Sequence, residues 1–99
     1  LRGGANVYPA EVERVLRSDA RVIDCAVVGL RDERLGQSVA AVIETHEADT
    51  ADLLASLEAL CDEHLARYKK PLQWRFAASL PRNALGKIVK PELTKQFEA

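Results

Sequence analysis

VIDCAVVGLRDERLGQSVAAVIET, residues 22–45, holds two apolar runs around a polar break. The first, Val22 to Val28, is rich in β-branched residues and ends at Gly29; the second runs from Ser38 to Thr45. Such runs, bounded by turn-forming and charged residues, read as largely buried β-strands. The break Arg31-Asp32-Glu33-Arg34-Leu35-Gly36-Gln37 makes them an antiparallel hairpin with a long connection.

Helical patterns flank this pair. On its N-terminal side Pro9 suits the first position of a helix, where a missing N–H costs nothing. Val12, Val15 and Leu16 recur at helical spacing, so residues 9–18 read as a short amphipathic helix. After the hairpin, Thr50 can cap a helix over about residues 51–67, with a stripe of Leu53, Leu54, Leu57, Leu60, Cys61 and Leu65. Pro71 stops it, Leu72 to Phe76 makes a third strand, and residues 77–88 form a loop. Pro91 opens a last helix carrying Leu93 and Phe97. The order α-β-β-α-β-α predicts an α+β fold: a small three-stranded, mainly antiparallel sheet with helices packed on it.

Ninety-nine residues support one domain, here 1–99, with one modest core. At 47% hydrophobic and 29% charged residues, the chain has the composition of a globular protein. No apolar stretch is long enough for a membrane span and no secretory leader is visible. Cys25 and Cys61 lie inside apolar segments and read as reduced core thiols, consistent with a cytoplasmic location. His46 and His64 have no partners at zinc-ligand spacing, so no metal site is expected.

Charge is unevenly spread. Residues 1–66 hold six arginines against thirteen carboxylates, a net −7, whereas residues 67–99 hold eight cations against Glu92 and Glu98, a net +6. The basic third points to an anionic partner. Nucleic acid is disfavoured, because interleaved exposed aromatics and a recognition-helix pattern are both missing.

Two segments carry chemistry. GGANVYPAEVE (Gly3–Glu13) sets adjacent glycines before a helix, where another molecule could run close to the backbone. A simple turn is the alternative reading. PRNALGKIVK (81–90) presents Lys87 after Gly86 on a loop stiffened by Pro81. It is not a nucleotide-binding P-loop, since Pro81 stands at the first glycine and Ile88 at the Ser/Thr position. Local chemistry leaves Lys87 open as a solvated surface charge, a phosphate clamp or a catalytic residue.

Together, GGANVYPAEVE, VVGLRDERLGQSVAAVI, YKKP (68–71) and LPRNALGKIVK resemble, in order and spacing, the mobile C-terminal domain of acyl-CoA synthetases. These belong to the adenylate-forming superfamily, with luciferase and peptide synthetase adenylation domains. The resemblance implies ATP-dependent activation of a small carboxylic acid to acyl-AMP, then transfer to coenzyme A, with ATP, Mg2+ and CoA mostly held by a large N-terminal domain. That domain and a hinge residue are expected before Leu1, which makes this chain by itself an inactive fragment of a cytoplasmic ligase. On the family's pattern Lys87 matches the catalytic lysine of adenylation, and Gly86 shapes its loop. Gly3, Gly4 and Ala5 match the segment lining the pantetheine tunnel, and Tyr68 and Lys70 match positions that meet the CoA nucleotide. Leu35 stands where some aryl-CoA ligases have a tryptophan. Two alternatives remain beside this reading: an adenylate-forming domain that loads a carrier protein, and a stand-alone interaction or nucleotide-binding module.

Overall fold

The computed structural model describes residues 7–34 and 36–98. Gly3, Gly4, Ala5 and Leu35 lie outside the described residues. The elements follow the order α1 (Pro9–Leu16), β1 (Asp24–Asp32), β2 (Gly36–Glu44), α2 (Thr50–His64), a 3-10 turn (Arg67–Lys69), β3 (Gln73–Ala77) and α3 (Lys90–Phe97). β1 and β2 pair antiparallel, from Asp24 opposite Glu44 to Asp32 opposite Gly36. β3 joins the other edge of β2 in parallel. The sheet is therefore mixed, because α2 carries the chain back past β2 before β3 begins, and such a crossover permits a parallel pair.

Local boundaries moved from the sequence expectation for physical reasons. The β1–β2 connection is short, not long, because Arg31 and Asp32 continue β1 and pair with Gln37 and Gly36. The polar residues read as a break are simply the solvent-exposed end of the hairpin. Asp49, not Thr50, caps α2: its carboxylate accepts a hydrogen bond from the Asp52 N–H at 3.0 Å.

Period-two alternation explains the unbroken apolar runs. Cys25, Val27, Val39, Ala41 and Ile43 pack on one face of the sheet with Val12 and Leu16 of α1 and Leu53, Leu57 and Cys61 of α2. Ala26, Val28, Leu30, Ala40 and Val42 pack on the other face with Leu80 and with Leu93 of α3. A sheet buried on both sides needs apolar residues at consecutive positions rather than alternate ones. Trp74 and Phe76 extend the first cluster along β3. Both cysteines are free and buried, and burial pushes the Cys25 thiol up to about 12, so it stays protonated at neutral pH. Among the described residues no helix is long and apolar enough to cross a membrane.

Candidate functional site

The 81–90 loop is a miniature hairpin. Arg82 and Ile88 form an antiparallel bridge, and the Val89 N–H donates to the Pro81 carbonyl at 2.9 Å. The Gly86 N–H donates to the Asn83 carbonyl at 2.9 Å and the Asn83 N–H to the Lys87 carbonyl at 2.8 Å. Gly86 has φ +83°, a conformation a side chain disfavours, and it lets a three-residue loop close with the twist of its strands. Inside the turn, the Asn83 carboxamide oxygen accepts from the N–H groups of Leu85 (2.9 Å) and Lys87 (3.0 Å). The backbone of Lys87 is thus held from both sides. Its side chain is exposed, and among the described residues nothing ion-pairs with its ammonium.

Ion pairs fix this hairpin to the sheet. The Arg82 guanidinium donates to Asp24 Oδ2 at 3.0 Å, Glu44 Oε1 at 2.9 Å and the Gly86 carbonyl at 3.2 Å. Asp24 and Glu44 are register partners at one end of the β1–β2 ladder, so the lysine hairpin sits at that end. Arg17 binds the other oxygen of Asp24 at 2.9 Å. On the far side of the hairpin, Lys90 reaches Glu13 Oε2 at 3.0 Å, and the same oxygen accepts the Val27 N–H at 2.8 Å. The two sequence segments singled out at opposite ends of the chain are therefore bonded to each other through Glu13 and Lys90.

Tyr68 and Lys70 occupy the opposite end of the sheet. With Arg67, Leu72 and the β2 residues Gln37, Ser38 and Val39, they line a cleft of about 380 Å³. From Ser38 to Glu44 the strand advances roughly 20 Å at its usual rise, which separates the cleft from the lysine hairpin. Lys70 ion-pairs with Asp62, and the Tyr68 ring is half exposed beneath the Lys69 ammonium, 5.6 Å from its centroid. Lys69 itself pairs with Glu11 at 2.9 Å, which fastens the 3-10 turn to α1 and raises the pKa of the ammonium. Gln37 reaches its place because Gly29 lacks a side chain: a Cβ there would meet Gln37 Nε2 at 2.5 Å. Exposed apolar Leu72 and Tyr68 beside two cations suit a ligand with an aromatic ring and phosphates.

The structure thus brings Tyr68 and Lys70 together and keeps Lys87 apart from them. Arg67 was not singled out from sequence; its place in the same basic run as Tyr68 was the available signal. Arg82, Glu13 and Lys90 were missed because their ion-pair partners lie 38 to 77 residues away, beyond any local pattern. Among the described residues no group of three or more His, Cys, Asp or Glu could hold a metal ion.

The carboxylates at the hairpin end also set an acid limit on stability. Burial alone would raise the Asp24 pKa, but hydrogen bonds from Arg82 and Arg17 hold it below the ordinary value. The paired Arg21 side chain likewise lowers Asp19. Groups with a depressed folded-state pKa stabilise above the unfolded value, about 3.9, and that contribution is lost as pH falls through the folded pKa. Urea midpoints should therefore drop between pH 5 and pH 3, and Asp24→Asn should reduce that drop. An unchanged slope in the variant would remove Asp24 from the account.

The sequence pattern of the AMP-binding enzyme C-terminal domain matches residues 11–87. A dioxo-octahydro-indenyl propanoyl:CoA ligase from Mycobacterium tuberculosis is 48% identical over 91 residues, 92% of this chain and 18% of the relative. The structure of a Mycobacterium tuberculosis fatty acyl CoA synthetase superposes with a TM-score of 0.84 at 40% identity, over 97% of this chain and 19% of that one. An o-succinylbenzoate CoA synthetase from Bacillus subtilis, in complex with its acyl-adenylate intermediate, gives 0.82 at 38% identity over 94% and 19%. This chain spans about a fifth of the length of each of these proteins. From the pattern match and the whole-chain likeness, in sequence and in fold, it follows that the chain belongs to the family of AMP-binding enzyme C-terminal domains.

Proposed function

We propose that this chain is the C-terminal lid domain of an ATP-dependent acyl-CoA synthetase of the cytoplasm, working against a larger N-terminal domain. The observation that carries the reading is the division of the sheet between its two ends. An exposed Lys87, with no ion-pair partner among the described residues, is presented at one end, and a cleft with Tyr68 and Lys70 opens at the other. The names of the relatives, CoA ligases, supply the chemistry that such a division serves.

In the first half-reaction a substrate carboxylate oxygen attacks the ATP α-phosphorus, forming the acyl-phosphate bond as the bond to pyrophosphate breaks. Lys87 places its positive charge beside the carboxylate and the α-phosphate, where negative charge crowds together. In the second, the CoA thiol attacks the acyl carbon, AMP leaves, and the thiol proton passes to solvent. Rotation of the domain removes Lys87 and brings up the opposite end, where Tyr68 stacks on the adenine of CoA and Lys70 meets a phosphate after exchanging Asp62 for it. On the family's pattern alone, Gly3, Gly4 and Ala5 are assigned to the pantetheine arm. Magnesium accompanies ATP, but the described residues do not fit a magnesium site and no step is assigned to them through it.

The full-length enzyme should release pyrophosphate and AMP only when a carboxylate and ATP are present, and it should form an acyl thioester with free CoA. Transfer to a carrier phosphopantetheine in preference to CoA would replace this reading with the carrier-loading one. Within the cleft, Tyr68→Ala should raise KM for CoA at least about fivefold, the low end of a base–aromatic stack. Pyrophosphate exchange should remain within about twofold of wild type. A Tyr68→Ala enzyme with normal KM for CoA would take the nucleotide out of this cleft.

A further inference from the structure

From the network at the lysine hairpin we infer that Arg82 is a positioning residue for adenylation, fixing Lys87 to the sheet through one three-way guanidinium clamp; this rests on the function proposed above. The clamp joins three separate pieces of backbone. Asp24 opens β1, Glu44 closes β2, and the Gly86 carbonyl belongs to the peptide unit that leads into Lys87. The two carboxylates are well shielded, with side-chain exposures of 24% for Asp24 and 13% for Glu44. The backbone pairing of the lysine hairpin is one isolated bridge, between Arg82 and Ile88, so its hold on the sheet comes from side chains: Leu80 and Ile88 pack on the core, and the Arg82 bonds tie the Gly86 turn to the end of the β1–β2 ladder.

A guanidinium suits the task because its planar fork sends separate N–H groups in separate directions. Nη2 spans both carboxylates and Nη1 turns back to the Gly86 carbonyl. An ammonium at the end of a flexible stem can neutralise the carboxylates without fixing the direction of Gly86. Arg82 does not bear on the cleft lined by Tyr68 and Lys70, at the far end of β2. Its loss should therefore appear in one half-reaction alone. A displacement of Lys87 by about 1 Å is enough to cost about 100-fold in rate.

The test uses the full-length enzyme and the carboxylate it activates best from a panel of straight-chain and aromatic acids. Arg82→Ala should lower acyl-AMP formation, followed as pyrophosphate exchange, by about 10- to 100-fold. Thioester formation from supplied acyl-AMP and CoA should stay within about twofold, and KM for ATP should change less than kcat. Arg82→Lys should recover only part of the loss. In a Lys87→Ala background, adding Arg82→Ala should cause no further loss, because a residue that acts through Lys87 has nothing left to position. Glu44→Gln, which keeps shape and an acceptor, should give a smaller loss in the same half-reaction and guards against misfolding of the alanine variant. Equal loss in both half-reactions, no loss in either, or additivity with Lys87→Ala would overturn the positioning role. Normal adenylation by Lys87→Ala alone would overturn the functional reading, and this inference with it.

Discussion

Lys87→Ala in the full-length enzyme should slow acyl-AMP formation by about 100- to 1,000-fold, the scale for removing one preorganised charge or donor from a transition state. Thioester formation from supplied acyl-AMP should remain within about twofold. The asymmetry follows from the position of the residue. Lys87 stands alone on a rigid turn, with Asn83 and Gly86 holding its backbone and no carboxylate among the described residues neutralising its ammonium. Its charge is available to an incoming anion without first breaking an ion pair, unlike that of Lys70 or Lys90. Arginine at this position keeps the charge but changes its reach and geometry, so Lys87→Arg should restore only part of the rate. Loss of both half-reactions to the same degree would mean that Lys87 supports the domain rather than the chemistry.

The largest expected effect on stability lies at Glu13. This carboxylate has 12% side-chain exposure, and one oxygen takes both the Val27 N–H and the Lys90 ammonium. Val27 lies on β1, an outer strand of the sheet, and Glu13 supplies its N–H with an acceptor that no strand provides. Glu13→Ala orphans that donor and leaves Lys90 unpaired beside the core. It should lower the unfolding free energy of the domain by about 2 kcal/mol, chiefly from the unmet buried donor, because the Lys90 end of the pair is 41% exposed and screened by water. Glu13→Gln retains an acceptor for Val27 and should cost about 1 kcal/mol. Urea denaturation distinguishes the outcomes. Equal losses in the two variants would assign the effect to the lost charge alone, and negligible losses in both would remove Glu13 from the framework.

Much of the fold could be read from the chain because its signals were local. The paired runs in residues 22–45, the stripe of α2 and the prolines Pro9 and Pro91 each act within a few residues of themselves, whereas α2 ends at His64 and a 3-10 turn follows it, ahead of the stop expected at Pro71. The two-sided burial of β1 and β2 was also written in their unbroken apolar character. The parallel placement of β3 was less legible, since strand partners are chosen across the whole of α2. The cap of α2 was ambiguous because Asp49 and Thr50 are both good caps, and only geometry shows which side chain reaches Asp52.

The site divided along the same line. Gly86 before Lys87 announced a tight turn with an exposed lysine, and the turn is there. Nothing in PRNALGKIVK indicated that Arg82 would bridge to Asp24 and Glu44, or that Lys90 would reach back to Glu13. Those bonds depend on the folded sheet bringing distant carboxylates to one end. The separation of Lys87 from Tyr68 and Lys70 likewise exists only after folding, because 18 residues of chain lie between Tyr68 and Lys87 and do not fix which end either will occupy.

The central claim is that opposite ends of one small domain serve successive half-reactions. Single-turnover rates of both half-reactions, measured side by side in Lys87→Ala and Tyr68→Ala full-length enzymes at limiting CoA, test it most directly. The account predicts crossed defects: slow adenylation with normal thioester formation in the first, and normal adenylation with slow thioester formation in the second. The same half-reaction failing in both enzymes, or both half-reactions failing in each, would contradict it.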